Sequence, residues 1–236
     1  NRLLRTIQNI NEEWLYLEES GLEIGDIDDQ DAWQKIDLPH TWNQWDATDY
    51  LPGYRRNESW YKKRVKISKQ GQVRHLIYFE GANITAEVYV NRELAGKHVG
   101  GYVGFEIDIT PWVKADTWND IAVKVDNSYN PQVIPSQKSD FFIYGGITRD
   151  VWLKTVPDTH LKQIRISTPE VSTSSASTAV EISLANYEKG ASEAVIRCEV
   201  FGKDNSSVLL SAQQTIQLNQ EKLQAAIELP TLATPS

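Results

Sequence analysis

An all-β protein is predicted, and three observations predict it. Short apolar runs alternate with period two. Turns rich in Gly, Pro and Asn break them. No stretch sustains a helical stripe of period 3.6. Many short strands with such turns make a β-sandwich or jelly roll. The chain has 236 residues, 40% hydrophobic and 24% charged, enough for one or two soluble cores of about 100–150 residues.

Taken in order, residues 1–12 read as a lead-in segment. Trp14 and Tyr16 alternate in EWLYLEES, a short strand. Residues 21–31 are acidic and turn-rich. Asp28 to Asp31 lack the fixed ligand positions of an EF-hand, so a solvated loop is expected. Ile36-Asp37-Leu38 is a strand that Pro39 ends, because proline lacks a donor and restrains its predecessor. Tyr61, Lys63, Val65 and Ile67 share one face of the next strand, and residues 75–81 form a central one. Ala86, Val88 and Val90 point inward from 84–91, and Thr85, Glu87 and Tyr89 outward. Gly96, Gly100, Gly101 and Gly104 mark a bulged stretch. Phe105, Ile107 and Ile109 share a face, Pro111 opens a short turn, and Ile121, Val123 and Val125 point inward from 119–128. Residues 127–139 form a long loop, of the length that tends to be functional.

Pro157-Asp158 marks a change of texture toward Ser, Thr, Ala and Gln, so residues 1–157 and 158–236 are read as two domains. Ile164 and Ile166, then Val180, Ile182 and Leu184, then Ala194, Ile196, Cys198 and Val200 alternate as strands. Residues 208–218 and 223–230 add more. The spacing suits an immunoglobulin-like sandwich, which uses about seven strands in about 100 residues. The remaining length leaves that domain short of a strand or two.

The stretch SDFFIYGGITRDVWL, residues 139–153, concentrates chemistry. Gly145-Gly146 provides a bend where side chains would be strained. An Asp-aromatic cluster precedes the bend and an alternating strand, Ile147 to Leu153, follows it. That arrangement presents polar groups from a loop on a rigid frame. Earlier, His40, Trp42, Asn43, Trp45 and Asp46 crowd into seven residues. Aromatic faces stack on sugar C–H faces, and amides and carboxylates bind hydroxyls. His40 and Trp42 are read as structural residues that close one end of the sandwich. Asn43, Trp45 and Asp46 stay open between sugar contact and loop closure.

SDFFIYGGITRDVWL closely resembles the end of the first domain of glycoside hydrolase family 2, the β-galactosidase, β-glucuronidase and β-mannosidase group. IDLPHTWN (36–43), SWYKKRVKI (59–67) and YFEGANITAEVYVNRELAGKHVGGYVGFEIDIT (78–110) agree in type and order. The resemblance implies a jelly-roll sugar-binding domain, then an immunoglobulin-like domain, then a catalytic TIM barrel for which no sequence remains here. It implies that Asp140 reaches the barrel's active site and binds sugar hydroxyls, the rival role being an N-cap or loop closure. It also implies a sodium or magnesium ion in the full-length enzyme and none held by this region. The expected function is the non-catalytic N-terminal region of an exo-β-glycosidase, β-galactosidase-like. The substrate contacts would be Asp140, Asn43, Trp45, Asp46 and Tyr144. The alternatives are a stand-alone carbohydrate-binding module of lectin type and a purely supporting role. Expected partners are a terminal β-linked sugar, the chain's own C-terminal barrel and a second copy in a homo-oligomer. By family analogy the location is periplasmic or extracellular.

The net charge of −8 argues against nucleic acid, whose binders need a basic footprint. No apolar run approaches the roughly 20 residues of a membrane helix. NRLLRTIQNINEEW lacks the apolar core of a signal peptide, and the chain has no Met, so residue 1 is not expected to be a translational start. The single cysteine, Cys198, excludes an internal disulfide and reads as a small apolar residue. Four scattered histidines show no metal spacing. Glycoside hydrolysis needs two carboxyls flanking the bond, and none of the 32 acidic residues sits in a matching motif, so no catalytic residue is assigned. Arg55 and Arg56 are read as a solvated loop, and Arg149-Asp150 as a structural ion pair.

Overall fold

The computed structural model describes residues 5–50, 53–68, 71–134, 142–188, 193–203 and 207–233. The regular structure is all strand. Two short 3-10 turns, Ile27–Asp29 and Thr110–Trp112, are present, and no α-helix occurs among the described residues. The chain divides into two compact units, 1–156 and 157–236.

The first unit holds β1 (Thr6–Asn9), β2 (Trp14–Leu17), β3 (Gln34–Ile36), β4 (Glu58–Ile67), β5 (Val73–Phe79), β6 (Thr85–Val90), β7 (Glu93–Val99), β8 (Phe105–Asp108), β9 (Thr117–Asp126) and β10 (Val151–Pro157). They form a four-stranded sheet, β1-β10-β5-β8, and a six-stranded sheet, β3-β2-β4-β9-β6-β7. One apolar core takes side chains from both sheets, among them Tyr61, Phe79, Val88, Ile121, Val123 and Val151. The inward positions read from alternation are the buried ones: Ile121, Val123 and Val125 are fully buried, as are Val88 and Val90. A smaller cluster forms on the opposite face of the six-stranded sheet, where Leu17, Ile27, Trp60, Tyr89 and Ala122 meet. Tyr89, expected to point to solvent, is therefore buried as well.

Three sequence expectations need correction. The lead-in segment contains a strand, because β1 pairs with β10 in register from Thr6–Thr155 to Asn9–Trp152. Its residues are exposed, so no apolar pattern announces it. The strand placed at Ile36-Asp37-Leu38 lies two residues earlier. Asp37 instead accepts a hydrogen bond from the Glu13 backbone at 2.8 Å, which takes it out of the ladder. Arg149 and Asp150 do not pair; the Asp150 carboxylate accepts from the Asn11 side-chain amide at 2.9 Å.

The second unit holds β11 (Thr159–Ser167), β12 (Ser175–Asn186), β13 (Glu193–Phe201), β14 (Val208–Gln217) and β15 (Lys222–Ala233). Its sheets are β11-β12-β15 and β13-β14. Val180, Ile182, Leu184, Ile196, Ile227 and Leu229 make its core, with Cys198 packed against it as a partly buried apolar side chain. Ile164 and Ile166 stand opposite Ile182 and Val180, yet they are exposed at 52% and 69%. They alternate as read but lie on an edge strand that the two-stranded sheet leaves open.

Candidate functional site

The Gly145-Gly146 bend is held where no other residue fits. Gly146 has φ +125 and makes a two-way backbone bridge with Asn83, 2.9 Å and 3.3 Å long. A β-carbon at Gly145 would lie 2.1 Å from the Trp42 ring and 2.7 Å from the Asn127 side chain. The two glycines thus allow a backbone approach that a methyl group forbids.

Two buried amides hold this bend. Asn43 is fully buried. Its Oδ1 accepts from the Gly145 backbone N–H at 2.6 Å, and its Nδ2 donates to Asp46 Oδ2 at 2.7 Å and to the Arg55 carbonyl at 2.9 Å. Asn127 donates to the Arg55 and Ile143 carbonyls, both at 3.1 Å, while its Oδ1 accepts from the Asn57 backbone at 2.9 Å. Asp46 Oδ2 also accepts from the Arg55 backbone at 2.7 Å. One hydrogen-bonded hub therefore joins the 41–57 loop, the end of β9 and residues 143–145. Buried amides satisfied in this way specify one arrangement, because unpaired donors or acceptors in that setting are costly.

An aromatic wall backs the hub. Tyr16 lies 4.6 Å from His40, 6.3 Å from Trp42 and 5.3 Å from Tyr61, centroid to centroid. Arg55 stands 5.1 Å over the Trp42 ring and bonds Ser59 Oγ at 2.9 Å. His40 Nδ1 and Tyr61 OH are 2.9 Å apart. Burial drives the Tyr61 phenol well above its ordinary range, and the neighbouring Tyr16 adds to this. Burial also depresses the His40 imidazole, and the His75 imidazole against the opposing pull of Asp108. His40 bonds Tyr61, and Trp42 packs against the core, contacts of the kind expected of residues that close one end of a sandwich.

The two imidazoles carry a pH prediction. Their folded pKa values lie below the ordinary value of about 6.5, so the folded state binds fewer protons there than the unfolded chain. Their contribution is complete above about pH 6.5 and is lost as pH falls through the depressed values. All eight Trp residues precede Asp158, so tryptophan fluorescence reports the first unit. Its urea midpoint is expected to fall between pH 7.5 and pH 5.5, and His40→Gln is expected to shrink that fall. A flat midpoint in the wild type would contradict the assignment.

The sequence-read residues separate into two groups. Asn43 and Asp46 belong to the hub. Trp45 is 68% exposed and Tyr144 is 38% exposed, both at the solvent side of the same loops. The Tyr144 carbonyl accepts from Asn83 Nδ2 at 2.8 Å. Its ring packs edge-on against Phe142, which in turn lies 4.6 Å from Tyr54. Asp140 lies outside the described residues. A cavity of about 390 Å³ is lined by Trp42, Asp46, Asp49, Tyr54, Arg55 and Glu18. Trp42 Nε1 and Tyr54 OH are buried with no hydrogen-bond partner. Sequence reasoning missed Asn127, Asn83 and Tyr54. A signal for Asn127 existed: after Ile121, Val123 and Val125, position 127 is the next inward one, and it carries an amide.

Among the described residues no three His, Cys, Asp or Glu side chains converge as metal ligands.

Residues 27–157 match the sequence model described as "Glycosyl hydrolases family 2, sugar binding domain". The chain is 54% identical over 183 residues to a Formosa agariphila protein named "Putative beta-glucuronidase", covering 77% of this chain and 22% of that protein. It is 33% identical over 204 residues to the beta-galactosidase of Thermoanaerobacter pseudethanolicus, covering 85% and 27%. Bacteroides uniformis beta-glucuronidase 2, solved with a covalently bound cyclophellitol-6-carboxylate aziridine, superposes with TM-score 0.86 at 30% identity, over 99% of this chain and 28% of that one. The chain thus spans about a quarter of the length of the relatives it matches. From the match over residues 27–157 and these relatives, the chain belongs to glycosyl hydrolase family 2.

Proposed function

We propose that this chain is the non-catalytic, sugar-contacting N-terminal region of a family 2 exo-β-glycosidase. In this reading the first unit is the jelly-roll sugar-binding domain and the second an immunoglobulin-like domain. Both support a catalytic barrel supplied by further polypeptide. The relatives include enzymes named for galactosides and for glucuronides, so the substrate class is a terminal β-linked hexose or hexuronate. Export to the periplasm or beyond and assembly as a homo-oligomer belong to the same reading.

The observation that carries it is the amide hub. Asn43 and Asn127 fix residues 143–145, and Asp140 precedes that anchored segment by only three residues. A carboxylate at that place in the sequence would accept strong hydrogen bonds from vicinal hydroxyls, and Tyr144 and Trp45 are exposed aromatic surfaces of the loops that the hub joins. Asn43 and Asp46 serve as positioning residues, through the backbone they hold. The chain supplies no assigned acid/base pair, so it should not cleave glycosides by itself.

The test is hydrolysis of 4-nitrophenyl β-galactoside and β-glucuronide by the 236-residue chain beside the longer polypeptide. Turnover is expected only from the longer one. Robust turnover by the short chain would overturn the reading. Tight monosaccharide binding by the short chain alone would favour the lectin-type module instead.

A further inference from the structure

A larger cavity than the one beside the hub lies on the outer face of the six-stranded sheet. It has a volume of about 990 Å³, at the upper end of the roughly 300–1,000 Å³ of small-ligand sites. Its position follows from strand lengths. The short β2 pairs with β4 only through Leu15–Lys62, Tyr16–Tyr61 and Leu17–Trp60. The longer β4 runs on to Ile67 with β9 as its paired neighbour. Past the end of β2 the sheet therefore steps down, and the step is the groove.

Register places the lining. Residues directly opposite on adjacent strands share a face, and alternate residues along a strand do too. Arg64 stands opposite Asp120, and Lys66 opposite Trp118. These point away from the core side, where Tyr61, Val65 and Ile67 are buried. Trp118 is 54% exposed, with the Arg64 guanidinium 5.8 Å from its ring centroid and paired to Asp120 at 3.2 Å. The other wall is Glu13 and Asp37, joined by the 2.8 Å bond from the Glu13 backbone, with Lys35 beside them.

We propose that this groove is a second saccharide site, which takes a neutral β-linked oligosaccharide with one ring stacked on Trp118. A neutral sugar offers an apolar C–H face and hydroxyls that both donate and accept. The groove offers one exposed indole, donors at Lys35 and Arg64, and acceptors at Glu13, Asp37 and Asp120. Charges of both signs disfavour a polyanion or a polycation, and the mixed polar rim suits hydroxyls better than an apolar partner. The inference rests on the saccharide reading above but not on the Asp140 loop. The site would hold polymeric substrate near the enzyme without taking part in cleavage.

The experiment is an NMR titration of the 236-residue chain with cellotetraose and with a β-1,4-galactotetraose, which follows the indole N–H signals, with affinities from calorimetry. The Trp118 signal is expected to shift. Trp118→Ala should weaken binding about tenfold, the size of a lost aromatic stacking contact. Trp118→Phe should restore part of it, and Phe201→Ala, an exposed aromatic of the second unit, should leave this affinity unchanged. An unmoved Trp118 signal or unchanged affinity in Trp118→Ala would overturn the inference. If Trp45→Ala rather than Trp118→Ala abolishes binding, the groove fails while the proposed function stands.

Discussion

Gly145→Ala is expected to destabilise the first unit by about 3 kcal/mol, among the larger losses a single methyl group causes. The added carbon would sit 2.1 Å and 2.5 Å from two Trp42 ring atoms and 2.7 Å from Asn127 Cγ. Neither neighbour can move freely. The Trp42 ring stacks on Tyr16 and lies under Arg55. Asn127 is almost fully buried and holds two carbonyls. Relief by moving the backbone would break the 2.6 Å bond from Gly145 to Asn43. For a unit of this size the loss lowers the melting temperature by roughly 6–12 °C. Gly25→Ala is the matched control, since nothing lies within 4 Å of a β-carbon there. Tryptophan-monitored unfolding of both variants checks it. A Gly145→Ala protein within about 0.5 kcal/mol of wild type would show that the bend yields.

Much of the frame was legible in the residues because burial alternates where both sheets face one core. Val88, Ile121 and Val125 announce themselves as inward, and each lies in a run bounded by turn residues. β1 was not legible, since all four of its residues are exposed and its pairing to β10 spans most of the unit. Tyr89 was misread because a strand with apolar material on both faces does not alternate cleanly. Trp60 meets Tyr89 on a face the pattern assigns to solvent.

The site was legible as two loops but not as a hub. Spacing brings Asn43 and Asp46 to notice together, and Gly145-Gly146 marks a close approach. That Asn43 reaches Gly145 rather than solvent depends on a contact across 102 residues, which local pattern does not encode. Asn127 carried a usable signal, an amide at an inward position, where burial demands a hydrogen-bond partner. Ile164 and Ile166 show the opposite limit. Their alternation is real, yet exposure depends on whether a facing sheet extends over them.

The second large effect concerns Asp140 in the longer polypeptide. A hydrogen bond between a carboxylate and a sugar hydroxyl contributes about 1.5–3 kcal/mol, and each 1.4 kcal/mol is tenfold in kcat/KM. Asp140→Ala should therefore lower kcat/KM for 4-nitrophenyl β-glycosides by about 10- to 100-fold, through KM, kcat or both. Asp140 lies two residues before Phe142, and in the sugar-contact role it holds no part of the fold, so the loss should come without a change in the melting temperature of the first unit. A structural role in closing the loop predicts the reverse, lower stability with kinetics recovered at low temperature. The most direct measurement is steady-state hydrolysis by wild-type and Asp140→Ala longer protein at matched folded concentration. A loss of tenfold or more in kcat/KM with unfolding unchanged is the predicted result, and identical kinetic constants would contradict the account.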